Sequence, residues 1–465
     1  MTQVAKKKGG LPPIAFILLG LVSLWAIPKL HAYLLGHPSI PGASSGVQER
    51  MSVGEKLLIA ADAPPDKQKG VTAFAKEDYT TAVGRFESAL MQRRNDPETL
   101  IYLNNARLAG DRLVDDHTLK IAVSVPIGSN LNVAQEMLRG VAQAQDEVNR
   151  AGGINGAGLQ VEIVNDENNP AIAKQVATTL VDDPQVLAVV GHNTSDASLA
   201  AASIYQPGQL VMITPTSSAN QLAGFGNYIF RTIPTTRFLA EPLAQYAIKT
   251  AHKARIAVCY DSQAPDNITF RDEFTASLIA DGGKLISIDC DLASPGFNPT
   301  VSIAQAIRNG AEAVLLTSHI DRLERAIAFA RSNQGKLALF SSPSLYTQQT
   351  LQSGQSDVSG LTLPVVWHPQ RQAASAFTQR ATQRWGGKVN WRTATAYDAT
   401  RAIIEGLKQG RTRSTLQAAL RSPGFSAAGA GEVVKFLPSG DRLSHPTLVQ
   451  VQPTNAGYDF VPINP

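Results

Sequence analysis

Beyond residue 118 the chain alternates short apolar runs with stretches whose apolar positions recur at helical spacing. The run at 119–125 reads as a strand, and Val133, Met137, Val141, Ala144 and Val148 then mark one face of a helix that Gly152 and Gly153 terminate. Strands are predicted again at 159–165, 186–190, 210–213 and 228–233, with helices over 171–181 and 238–251. The winding restarts at 255–260 and continues through 284–289, 313–317 and 337–340, each pair joined by a helix-compatible segment. A run at 361–367, three helical stretches ending near Ser422, and short strands at 433–436 and 448–450 close the chain. Such alternation predicts an α/β fold of parallel sheets with helices on both faces, and its two rounds predict two lobes.

The first 110 residues have a different texture. Lys6, Lys7 and Lys8 precede residues 11–28, which carry no charge. At about 1.5 Å per residue that stretch nearly crosses a bilayer, and Trp25 and Tyr33 are placed as interfacial anchors. Residues 1–36 therefore read as a cytoplasmic tip and a transmembrane signal anchor, a single pass through the inner (plasma) membrane with the bulk of the chain beyond it. A cleaved signal peptide is the rival reading, but the small residues at 42–46 lie far past the apolar run. Residues 37–69 read as a linker. Over 70–110, Ala82, Phe86 and Ala89, the turn Asn95-Asp96-Pro97-Glu98, and Leu100, Leu103 and Ala106 resemble a tetratricopeptide helix pair followed by the first helix of another repeat. One such unit cannot bury its apolar face alone, so it serves either as a packed spacer or as a contact for a protein partner.

Candidate chemistry concentrates in 189–222, where two strand-turn-helix units follow one another with small hydroxyl residues at both turns. Ser195 and Asp196 stand where a helix begins, and Thr214-Pro215-Thr216-Ser217-Ser218 follows the next apolar run. If both strands are parallel in one sheet, both turns lie at its carboxyl edge, where backbone N–H groups at helix starts suit an anion such as a carboxylate. Ordinary helix capping is the competing account of each turn alone.

Composition narrows the function classes. A net charge of +4 over 465 residues, without a dense basic stripe, argues against nucleic acid. No GxGxxG between strand and helix, GxxxxGK[ST], HExxH or GxSxG occurs, and the eight histidines lack metal-ligand spacing, so no enzyme, cofactor or metal site is expected. Ser195, His192 and Asp196 are too close in sequence to converge as a triad. Cys259 and Cys290 end predicted strands of consecutive units. A bridge between them is open in an oxidising compartment, but two separate buried thiols is the favoured reading.

Several pieces, in order, carry a family resemblance: Arg150-Ala151-Gly152-Gly153-Ile154-Asn155-Gly156, Val190-Gly191-His192-Asn193-Thr194-Ser195, Met212-Ile213-Thr214-Pro215-Thr216-Ser217-Ser218-Ala219, Ala396-Tyr397-Asp398-Ala399 and Phe436-Leu437-Pro438-Ser439-Gly440-Asp441. Over 118 to about 453 the chain resembles the type I periplasmic binding proteins, specifically the branched-chain amino-acid receptors of ABC importers. The resemblance implies two doubly wound lobes joined by three hinge crossovers near Pro234, Gly360 and Gly431, closing over a small ligand. Lobe 1 would comprise about 118–235 and 362–432, lobe 2 about 240–358 and 433–455, within a binding domain over 118–465. Ser195, Thr216 and Ser218 would hold the ligand's carboxylate, and an ABC permease or other membrane partner would read the closed form.

Lobe 2 departs from that pattern. The loop after its first strand, 261–267, has no aromatic residue, and 341–346 after the fourth has no acid to pair with a ligand ammonium. Asp266, Asp321 or another acid would have to substitute, and His319 falls near a position where the family places a ring. The expectation is a tethered receptor for an amino acid or related small carboxylate; the alternative is an extracytoplasmic ligand sensor or protein-interaction scaffold that keeps the fold.

Overall fold

The computed structural model describes residues 2, 43–111, 118–371, 375–444 and 446–463. The apolar stretch at 11–28 lies outside them, and among the described residues no helix is long and apolar enough to cross a membrane. The chain divides into residues 1–49 and residues 50–465. The first unit contains helix α1 (Ala43–Gln48).

The second unit is built on two sheets. One has the spatial order β1 (Met51–Ser52), β3 (Gly158–Asn165), β2 (Thr118–Val125), β4 (Val186–Val190), β5 (Val211–Thr214), β6 (Ile229–Arg231). Apart from antiparallel β1, its neighbours are parallel. The other runs β13 (Gly457–Pro462), β12 (Thr447–Thr454), β11 (Thr362–Val365), β10 (Ala338–Ser341), β9 (Ala313–Thr317), β7 (Arg255–Tyr260), β8 (Lys284–Ile286), with antiparallel pairing confined to β11, β12 and β13. β4, β5 and β9 are buried along their whole length, as expected of strands covered by helices on both faces.

A segment before the winding, α2 (Pro65–Phe74), α3 (Tyr79–Gln92) and α4 (Pro97–Gly110), packs into lobe 1. Asp78 and Asp96 cap α3 and α4 through Thr81 and Thr99 N–H groups, and Pro97 opens α4 without losing a needed donor. The Asn105 side chain of α4 donates to the Val161 carbonyl at 2.8 Å and accepts from the Val161 N–H at 3.2 Å, at the outer edge of β3 next to where β1 pairs. Part of the expected linker at 37–69 belongs instead to lobe 1. From Met51 onward it joins the sheet edge, with Ile59 buried and the Leu58 and Ile59 N–H groups bound by the buried Glu98 carboxylate.

Lobe 1 also carries α5 (Leu131–Arg150), α6 (Pro170–Asp182) and α7 (Ser195–Tyr205). Lobe 2 carries α8 (Thr236–Lys249), α9 (Pro265–Ala280), α10 (Pro299–Arg308), α11 (Leu323–Asn333) and α12 (Gln348–Gly354). The chain then returns to lobe 1 as α13 (Ala376–Trp385), α14 (Trp391–Leu407) and α15 (Arg413–Arg421). α14 crosses α5 at Gly140, where a Cβ would lie 2.2 Å from the Thr393 carbonyl oxygen; only glycine permits that approach.

Three details differ from expectation. The strand at 362–365 belongs to the second sheet, paired with β10 and β12, so the return to lobe 1 comes after Val365 and not at Gly360. Residues 433–442 stay with lobe 1: Asp441 bridges to Arg231 of β6, backbone to backbone and through a buried ion pair, and the chain enters lobe 2 only at β12. Finally, Cys259 and Cys290 are not separate thiols. They form a disulfide with Cα atoms 4.7 Å apart, because the Cys290 segment runs beside the end of β7.

Candidate ligand-binding site

The carboxyl ends of both sheets face one cleft with about 600 Å³ of space not filled by atoms, part of it open to solvent. Lobe 1 contributes Asn193, Thr194 and Ser195 after β4, Thr216 and Ser218 after β5, and Trp391 and Arg392 from the first turn of α14. Lobe 2 contributes Asp266 and Phe270 from α9, His319 and Ile320 after β9, and Ser342, Pro343 and Ser344 after β10. Ile233, Leu239 and Val366 line the cleft beside the crossovers. Ser195, Thr216, Ser218, Asp266 and His319 are thus brought to a single cavity although the last two lie in the other lobe.

The lobe 1 wall is held by hydrogen bonds between its two turns. Thr216 Oγ1 donates to the Asn193 carbonyl at 2.6 Å, and Thr214 and Ser198 hydroxyls donate to the His192 carbonyl at 2.8 and 3.2 Å. Ser195 is the first residue of α7, one place beyond the N-cap Thr194, and its hydroxyl accepts the Ala219 N–H at 3.2 Å. Its own proton stays available to an acceptor in the cleft. Beneath the second turn, the buried Arg231 guanidinium donates to the Ala219 carbonyl at 2.9 Å while paired with Asp441. Under the first, the buried Asp166 binds His192 Nδ1 at 2.6 Å; burial alone would raise its pKa, but the His192 contact, the Asn168 N–H and the Ser124 hydroxyl hold it below the usual carboxylate range.

The lobe 2 wall is acidic. Burial pushes the Asp266 carboxyl above its ordinary pKa, with His319 pulling it down and Asp196 across the cleft pushing it up. Asp321 does not line the cavity. It lies beside His319 and accepts from Asn168 Nδ2 at 3.2 Å, a contact between the lobes, and burial raises its pKa too. His319 Nδ1 accepts the Asp321 N–H at 3.3 Å, which leaves Nε2 to carry the ring proton; that atom is buried without a hydrogen-bond partner among the described residues. Ser342 Oγ and Thr194 Oγ1 are likewise buried without a partner among the described residues, so each wall carries a polar group that the described protein atoms leave unbonded. No ring comes from 261–267; Phe270, one turn into α9, and Trp391 of lobe 1 line the cleft. Neither Trp391 nor Arg392 carried a local sequence signal, since their place depends on how α14 packs over Gly140.

Residues 118–456 match the sequence profile of the periplasmic binding protein family. The chain belongs to that family. Among curated relatives, it is 34% identical over 148 residues to a leucine-, isoleucine-, valine-, threonine- and alanine-binding protein of Pseudomonas aeruginosa, covering 31% of this chain and 39% of that protein. It is 31% identical over 147 residues to the Leu/Ile/Val-binding protein of Escherichia coli K12, covering 31% of this chain and 40% of that one. These alignments therefore span about two fifths of the relatives' length. Among solved structures, a leucine-binding protein of Thermotoga maritima superposes with a TM-score of 0.66 at 19% identity, covering 75% of this chain and 99% of the other. A solute-binding protein of Rhodopseudomonas palustris HaA2, in complex with p-hydroxybenzoic acid, gives 0.65 at 19% identity, covering 75% and 96%. At that identity the likeness is one of fold alone.

Proposed function

We propose that the chain is an extracytoplasmic solute receptor, not an enzyme, which captures an amino acid or related small carboxylate between its lobes and presents it to an ABC importer. One observation carries this reading: Ser195, Thr216 and Ser218 of one lobe and Asp266 and His319 of the other line the same cavity. The first three would take the carboxylate through hydroxyl and backbone N–H donors, Asp266 would take an ammonium, and His319 would donate through Nε2. The names of the relatives, which bind amino acids, support the ligand class. The disulfide supports export, since such bonds persist in oxidising compartments.

Residues 1–36 would tether the receptor to the inner membrane, and the tetratricopeptide-like segment, rooted in lobe 1 by Asn105, would leave α3 exposed for a protein contact. Calorimetry on the full chain in detergent, against amino acids and small carboxylates, tests the receptor reading. Binding of at least one, weakened about tenfold or more by Ser218→Ala, is expected. If no small molecule bound while a membrane protein co-purified through residues 70–110, the scaffold reading would replace it.

A further inference from the structure

The first turn of α14 brings two donor-only groups to the cleft. Trp391 and Arg392 both line it and are each only 4% exposed. Trp391 Nε1 and Arg392 Nε are buried and have no hydrogen-bond partner among the described residues. Indole and guanidinium N–H groups donate and do not accept, so whatever completes them must be an acceptor. The rest of the guanidinium explains only part of its position: Nη1 donates to the Tyr346 carbonyl at 3.0 Å, and the group lies 4.5 Å from the Trp391 ring centroid.

Among the described residues its charge also has no dedicated counterion. The carboxylate that acts on it is Glu136, which already pairs with Arg139 at 2.7 Å and receives the Thr393 hydroxyl. Burial lowers the Arg392 pKa only to about 10, so the side chain is cationic at neutral pH. A buried cation without a dedicated counterion is costly, and an arginine fork matches a carboxylate better than any neutral acceptor. The same cleft is also lined by Ile233, Leu239, Phe270 and Val366, a surface suited to methylene groups.

We propose that Arg392 and Trp391 form a second acceptor-binding pole, and that the ligand carries two carboxylates joined by a short carbon chain: an acidic amino acid or a dicarboxylate, not a branched aliphatic amino acid. This rests on the receptor reading above and names its substrate class.

Calorimetric titration of the full chain in detergent with L-glutamate, glutarate, L-leucine and L-isoleucine tests it, alongside Arg392→Met and Arg392→Lys. Glutamate or glutarate should bind more tightly than leucine or isoleucine. Arg392→Met should weaken the acidic ligand about 100-fold and leave leucine no weaker, while Arg392→Lys, which keeps the charge but loses the fork, should weaken it about tenfold. Far-ultraviolet circular dichroism checks that each variant is folded, and the lysine variant decides the matter if the methionine variant is not. Leucine or isoleucine binding while both acidic compounds fail would overturn the second pole and leave the receptor standing. So would acidic-ligand affinity untouched by either substitution. Failure of all four to bind would overturn this inference, and failure of the wider panel above would remove the receptor reading with it.

Discussion

Asn105 and Val161 exchange two hydrogen bonds, the side-chain amide of one taking the place of a neighbouring strand for the backbone of the other. The same amide donates to the Val53 carbonyl at 2.7 Å and accepts from Gln145 Nε2 at 2.8 Å, so helix, sheet edge and leading segment meet at one side chain. Open sheet edges carry unpaired backbone groups, and here a helix residue covers them. Asn105→Ala should orphan the buried N–H and carbonyl of Val161 and lower stability by about 2–4 kcal/mol. Urea unfolding at neutral pH would show this as a lower midpoint with unchanged slope. An unchanged midpoint would mean that the helical segment is an appendage and not part of lobe 1.

Asp266 in the lobe 2 wall, with Asp321 beside His319, links binding to pH. Burial raises Asp266, so it takes up a proton at a higher pH than an ordinary Asp near 3.9. If Asp266 pairs with a ligand ammonium, only its ionised form binds well. As pH is lowered, amino-acid affinity should therefore begin to fall at a higher pH than an ordinary aspartate would give, by at most about tenfold per pH unit. Asp266→Asn should weaken binding at pH 7.5 by about tenfold or more and flatten that dependence, with a residual slope from Asp321. A dicarboxylate without an ammonium should show the reverse preference, binding better as Asp266 becomes neutral. Equal pH dependence in the parent and Asp266→Asn would remove the residue from the site.

The alternating winding was legible because strands such as β4 and β9 are almost wholly apolar, a pattern that burial on both faces demands. Ser195, Thr216 and Ser218 were legible for a local reason, as small hydroxyl residues just past strand ends. What escaped depends on distant pairings. The place of 362–365 in the second sheet is decided by its register with 447–450, and that of Trp391 and Arg392 by the approach of α14 to Gly140. The Cys259–Cys290 bond likewise needs the two backbones side by side, which periodicity within either strand cannot reveal.

His368 gives the stability of lobe 2 its own pH window. Its ring is buried, with Nε2 donating to the Phe460 carbonyl at 3.1 Å and Nδ1 accepting the Gln370 N–H at 3.3 Å, a pattern that fits the neutral imidazole. Burial lowers its pKa to about 4. In the unfolded chain the ring protonates near about 6.5, so between those values the unfolded state binds the proton and the folded state does not. The stabilisation is complete above about pH 6.5 and is lost as pH falls toward 4, amounting to on the order of 3 kcal/mol. His368→Gln should lose less stability than the parent between pH 7 and pH 4.5 in paired urea titrations. Identical losses would place the acid sensitivity elsewhere.

The disulfide closes a loop between residues 31 apart in sequence, tying the end of β7 to the segment beside it. Both cysteines are buried, Cys259 completely, so a reductant reaches the bond slowly in the folded protein. A loop of that length stabilises the folded state by about 3–4 kcal/mol when the unfolded chain is the one constrained. The double variant Cys259→Ala, Cys290→Ala should therefore melt several degrees lower, and the parent unfolded and refolded in dithiothreitol should match it. The cleft loop at 261–267 begins two residues after Cys259, so loosening this corner should also weaken binding through Asp266, with no substitution in the cavity itself. A variant equal to the parent in melting temperature and affinity would show that backbone pairing of Tyr260 with Cys290 and Leu292 holds the corner without the covalent bond.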